Sequence, residues 1–250
     1  MEVLKQNTGN IVSMLGKSIK EDNSGSLVVV KLQVLLCYGL YNNLELLEHY
    51  GFLLPRNPND NVHIGLPDAG EFGLDTINPP MQIPGAACVE ISGHPSFSLL
   101  AALRLRACHS SLRRAKGHVA LSGEQVSVES DILAYKWLEK KCKSLLESLP
   151  TKLEDDLVLQ KRLIPVQSFT ALEDLALSEE VTSEAKEVQE FLRACTSVGE
   201  GGAADEKYGV GDKDFQLERW KLALRWRIGY KEILHRCARL CSKKILHLGG

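Results

Sequence analysis

Seven of the nine prolines fall between residues 55 and 95, and this clustering constrains the fold more than any other feature of the chain. Proline removes a backbone donor and clashes with the preceding helical turn, so no packed helix crosses that segment. Within it, residues 62–66 and 87–91 are apolar runs set between Pro/Gly-rich loops, and they read as short strands. After Pro95 only Pro150 and Pro165 remain, so long helices become possible. The 250 residues suffice for one large domain or two small ones.

The region after Pro95 carries helical periodicity. Residues 96–107 are helix-like. Residues 130–149 place Leu138, Cys142, Leu145 and Leu149 at 3/4 spacing opposite a lysine- and glutamate-rich face. Residues 151–163 predict a shorter helix stopped by Pro165. Thr170 and Glu173 form a capping-box pattern ahead of a stripe of Val181, Ala185, Val188, Leu192 and Cys195. Residues 197–211 are rich in Gly, Ala, Asp and Glu and read as an exposed loop. Asp212 is the candidate cap of a last helix over about 213–246, with Leu217, Trp220, Leu224 and Ile228 as its core stripe.

Upstream, residues 27–36 form a β-rich run that reads as a buried strand. Asn42 and Glu45 are a capping box for a helix over about 43–50. Gly51 ends it, because glycine tolerates the left-handed conformation after a helix. The expected fold class is α+β, mostly α: a short mixed β piece followed by a helical domain.

Composition excludes several classes. Net charge is −2 and the pI about 6.4, which gives no global reason to expect nucleic acid or an anionic membrane. No run reaches the roughly 18 apolar residues of a membrane span. The seven cysteines are scattered, without a Cys-x-x-Cys pair, and fit a reducing compartment. The compartment itself is not readable. Cys237 and Cys241, four apart with His235 nearby, lack a further ligand at a recognised spacing. They read as buried apolar residues rather than a metal site. The basic residues of the last helix, interleaved with Trp220 and Trp226, could serve nucleic acid or an acidic protein. An amphipathic helix with snorkelling arginines accounts for them first.

One segment is more specific. Tyr38, Gly39, Asn43, Glu45, Leu46, Tyr50, Gly51 and Phe52 are eight specified positions within fifteen residues. The pattern resembles the closing motif of the SET domain in the Rubisco large-subunit methyltransferase-like branch. Residues 51–58, Gly-Phe-Leu-Leu-Pro-Arg-Asn-Pro, are similar to the plant subgroup of that branch. The resemblance implies a closing SET segment over 1–54, a Pro/Gly-rich connector with short strands over 55–95, and a helical substrate-binding domain over 96–250. It implies S-adenosylmethionine as cofactor and a protein with a target lysine as substrate and partner. One part of the branch modifies histidine instead, and that target stays open. Tyr38 matches the catalytic tyrosine, Tyr50 an aromatic beside the target amine, and Phe52 a cofactor-side aromatic.

The chain departs from the pattern upstream. No Asn-His pair precedes Tyr38, and Lys31-Leu32-Gln33-Val34 stands where family members carry a glycine-glutamate-glutamine turn. The expectation is a catalytically incomplete product. The alternative is a non-catalytic helical module that binds proteins without a cofactor.

Overall fold

The computed structural model describes residues 39–67, 71–72, 83, 85–177, 183–197 and 210–249. The expected strand over 27–36 lies outside them, as do Tyr38 and most of the expected loop over 197–211. The described fold is mostly helical with one small sheet.

The first helix, α1, runs Asn43–Tyr50. Asn42 caps it in both directions: its side chain accepts from the Glu45 amide at 2.9 Å, and the Glu45 carboxylate accepts from the Asn42 amide at 2.8 Å. Gly51 closes it at φ +72°, donating to the Leu47 carbonyl at 3.1 Å. The proline-rich segment holds two strands, β1 (Asn61–His63) and β2 (Cys88–Glu90). They pair antiparallel with Val62 opposite Val89, and both of these side chains are buried.

The helices after Pro95 are α2 (Phe97–Arg106), α3 (Ser110–Leu121), α4 (Val128–Glu147), α5 (Leu153–Leu163), α6 (Phe169–Leu177), α7 (Ser183–Ser197) and α8 (Val210–Gly249). Ser96 and Ser127 cap α2 and α4 by accepting from backbone amides three residues on. Helix α3 has no counterpart among the sequence expectations. Its sequence, SSLRRAKGHVAL, buries only Gly117 and Ala120 among small residues, so it leaves little apolar stripe to detect.

Helix α8 is the axis of the molecule. Its most extensive contact is with α4, and α5, α6, β1, β2 and α1 also pack on it. Two cores form along its length. One joins Val62, Val89, Leu103, Leu138 and Cys142 to Ile233, Leu234, Cys237 and Cys241. The other joins Leu159, Leu163, Leu172 and Val188 to Leu217, Leu224 and Ile228. The expected stripes of α4, α7 and α8 are therefore core stripes, with Val181 outside the described residues.

Two helix starts differ from expectation. Thr170 lies inside α6, and the cap is Ser168, whose hydroxyl accepts from the Ala171 amide at 3.2 Å. The Phe169 amide is taken by Asp214 of α8 at 2.7 Å, a partner that local sequence cannot reveal. Helix α8 begins at Val210, so Asp212 lies within it rather than capping it.

Candidate functional site

Three aromatic rings converge at the end of α1. Tyr41 and Tyr50 have centroids 5.8 Å apart, and Tyr50 and Phe52 6.2 Å, with tilted planes of 56° and 45°. His49 lies edge-on to Tyr50 at 6.4 Å. Such tilted pairs match the quadrupole preference of aromatic rings. Tyr50 is 44% exposed, and Phe52 is half-buried. The sequence-expected Tyr50 and Phe52 are thus brought together; the placement of Tyr38 is outside the described residues.

Position of the aromatic pair depends on Asn43, one residue into α1. Its side-chain oxygen accepts from the Leu54 amide at 3.1 Å, and its side-chain nitrogen donates to the Leu54 carbonyl at 3.3 Å. Asn43 thus pairs with the backbone just past Phe52 as a neighbouring strand would. Asp60 fixes Asn43 in turn, accepting from its backbone at 3.0 Å and its side chain at 2.9 Å. Asn57, only 2% exposed, donates to the Tyr41 carbonyl at 2.9 Å. Gly51 turns the chain, and Asn43 and Asn57 then fasten it back on the start of α1. Asn43, a motif position in the sequence, is a clamp across eleven residues. Asn57 and Asp60 escaped the sequence reading, and the only local signal is the polar run Asn57-Pro58-Asn59-Asp60.

Beneath the clamp lies a groove of about 320 Å³. It is walled by Asn43, Leu53, Asn57 and Asp60 on one side and by Ile228, Glu232 and Arg236 of α8 on the other. The aromatic segment is therefore seated on the helical body.

The helical body is braced by buried charge. Asp156, fully buried, accepts from Lys231 at 2.6 Å, from Thr151 at 2.6 Å and from Arg227 at 2.7 and 3.0 Å. Arg227 also reaches Glu187 of α7 at 2.8 Å. Burial works against the Arg227 guanidinium, but its bonds to Asp156 and Glu187 hold its pKa above the ordinary arginine value. Arg104 and Asp131 form a second buried, bidentate pair at 2.8 and 2.9 Å, joining α2 to α4. These pairs link helices, and none of their residues lines the groove beneath the clamp.

Cys142, Cys237 and Cys241 sit together in the core, with the last two sulfurs 4.0 Å apart. The Cys237 thiol beside it, and then burial, push Cys142 far above the usual thiol range. Contact with Cys142 pulls Cys237 down, but Cys241 and burial outweigh it and leave Cys237 raised as well. Buried neutral thiols are poor nucleophiles and poor metal ligands.

The family-implied cofactor can be tested against the wall. Tyr50 and Phe52 offer flat apolar faces, open to solvent on one side. That suits one face of a purine ring or an alkyl sulfonium. It does not enclose either, so the described residues fit a wall of a cofactor or amine site and not the whole site.

Comparison with known proteins bears on this arrangement. A family model described as Rubisco LSMT substrate-binding matches residues 46–234. The chain is 35% identical over 221 residues to "Protein SET DOMAIN GROUP 40" of Arabidopsis thaliana, covering 87% of this chain and 43% of that protein. It is 31% identical over 135 residues to "SET domain-containing protein 4" of Artemia parthenogenetica, covering 49% of this chain and 34% of that protein. The chain thus spans less than half the length of either curated relative.

Proposed function

The chain belongs to the Rubisco LSMT substrate-binding family, and from that premise we propose that it holds a protein substrate for lysine N-methylation by S-adenosylmethionine. The observation that carries the proposal is the Tyr50–Phe52 wall, fastened to the start of α1 through Asn43, with α1 packed on α8. In this proposal the division of labour follows the sequence: a SET closing segment over 1–54, a connector over 55–95 and a substrate-holding helical domain over 96–250.

S-adenosylmethionine, when bound, supplies an electrophilic sulfonium methyl. A lysine amine has a pKa near 10.4 and must shed its proton to become a nucleophile. Tyr50 lines the amine side, where bound substrate covers the wall, excludes water and so disfavours the ammonium form. Phe52 packs on the cofactor side. Tyr38 is assigned as the catalytic tyrosine by its match to the family motif, its hydroxyl acting as a fixed dipole beside the reacting amine. The clamp through Asn43 holds Tyr50 and Phe52 in one orientation, and fixed orientation supplies much of the advantage of a bound reaction.

The test is calorimetric titration of the 250-residue chain with S-adenosylmethionine. The proposal expects binding that Phe52→Ala weakens about tenfold, the scale of one lost apolar contact of about 1.4 kcal/mol. Binding indifferent to Phe52 would contradict the assignment of that residue. A second reading is favoured by the openness of the wall, with Tyr50 44% exposed. In it, the helical body binds a protein without cofactor, and no binding at millimolar S-adenosylmethionine would select it.

A further inference from the structure

Arg225, on α8, stands where two grooves meet. The first, about 540 Å³, runs between α5 and α8 over an apolar floor of Leu163, Val166 and Leu224. The second is the groove of about 320 Å³ beneath residues 53–57, just past Phe52. Gln160 and Arg225 line both, so the two grooves adjoin at these residues, and together they are called the channel below. Ile164, 73% exposed, adds apolar surface to the far section.

The charges along this channel do not cancel. Glu218 is paired with Lys221 at 2.6 Å, and Glu232 with Arg236 at 2.8 Å. Asp60 is engaged by both Asn43 nitrogens. Glu218 and Glu232 are thus neutralised by cations, whereas Asp60, held by a neutral amide, keeps its charge. Arg225 and Arg56 are exposed, and among the described residues neither forms an ion pair or a side-chain hydrogen bond. Against the Asp60 carboxylate stand two unpaired guanidinium groups, Arg56 in the second groove and Arg225 beside the apolar floor of the first, so the balance is positive and Arg225 is the cation at that floor.

A guanidinium presents a planar fork that matches a carboxylate with two parallel hydrogen bonds. An extended segment carrying both apolar and acidic side chains complements this channel. A nucleic-acid backbone, charged at every unit, has no apolar side chain to place on the floor of Leu163, Val166 and Leu224. We propose that Arg225 is a specificity-determining residue for the substrate polypeptide. It takes an Asp or Glu side chain of a segment that lies in the channel, away from the residue presented at Tyr50. This rests on the reading that the chain holds a protein substrate.

The experiment is fluorescence anisotropy of the full chain with three labelled probes: a short Glu/Leu/Ser peptide, its Gln-for-Glu counterpart, and a single-stranded oligo-dT. The expected result is a preference of about tenfold for the Glu peptide over the Gln peptide, abolished by Arg225→Glu. Added salt weakens the Glu peptide and leaves the Gln peptide little changed. Arg225 is exposed and unpaired, so the urea midpoint of Arg225→Glu stays at the wild-type value and loss of folding is excluded as a cause. Equal binding of the two peptides, or a Glu preference that survives Arg225→Glu, overturns the proposal. Oligo-dT binding tighter than the Glu peptide with the same dependence on Arg225 overturns it in favour of a nucleic-acid surface. The outcome is separable from the methyl-transfer reading. An Arg225-dependent peptide preference without S-adenosylmethionine binding leaves this inference standing and removes that reading; cofactor binding without the peptide preference does the reverse.

Discussion

Lys231 shows how far a residue's type can stand from its surroundings. It is 1% exposed on the longest helix, and its ammonium donates to the Thr151 carbonyl and hydroxyl and to Asp156. All three of its protons are used, which is the condition under which a buried charge is tolerated. Asp156→Ala would leave the buried Lys231 without a counter-ion and Arg227 with Glu187 alone. We expect it to destabilise the fold by about 3–5 kcal/mol, read as a lower urea midpoint. Asn43→Ala removes the paired bonds to Leu54 and leaves Asp60 with one donor fewer. The expected cost is about 1–3 kcal/mol in the same measurement. The buried thiols give a pH dependence. Cys88 and Cys108 are raised by burial first, and Cys142 and Cys237 are raised as described above. A raised thiol keeps its proton when folded and loses it when unfolded. Stability is therefore fully present below about pH 8.5 and falls as pH rises beyond it, with about 1.4 kcal/mol per pH unit as the limiting slope for one thiol. Urea midpoints in reducing buffer between pH 7.5 and 10.5 should show this decline. Cys142→Ala should be less stable at neutral pH but have a shallower alkaline slope.

At the scale of elements, the turn after β2 is the tightest joint. Gly93 has φ +87° and is buried against α8. A Cβ there would lie 2.6 Å from the Arg236 Cβ and 2.9 Å from its backbone carbon. Backbone cannot yield as a side-chain tip can, and the φ is unfavourable for any other residue. Gly93→Ala should cost about 2–4 kcal/mol from overpacking and backbone strain combined, measured by thermal or urea unfolding. Gly51→Ala also places a side chain at positive φ, but into open space, and should cost about 1 kcal/mol. Elements defined by local chemistry were legible in the sequence. Helix α1 with its Asn42–Glu45 box, both short strands and the core stripe of α8 follow from caps, prolines and periodicity alone. Elements defined by distant partners were not. The start of α6 depends on Asp214, forty-five residues away, and α3 packs with almost no apolar stripe. The same division holds in the site. Tyr50 and Phe52 stand out by motif as candidates, whereas Asn43, Asn57 and Asp60 act through bonds that span eleven to seventeen residues.

For the whole molecule, α8 makes the assembly interpretable. It touches the small sheet, the helical layers and α1, so the aromatic wall and the helical body share one element. The central claim is that the segment carrying Tyr50 and Phe52 is a fixed part of the helical body. A loop held only by its own turn would exchange its amides freely, whereas a loop clamped to the core exchanges with the core. The decisive measurement is native-state hydrogen exchange on the full chain, read at residues 42–57 and along α4 and α8. The account predicts slow exchange at the Leu54 and Glu45 amides in the wild type, bound as they are to Asn43 and Asn42. It predicts that Asn43→Ala releases Leu54 and its neighbours while α4 and α8 stay protected. Fast exchange at Leu54 in the wild type, or no change there on Asn43→Ala, would contradict it.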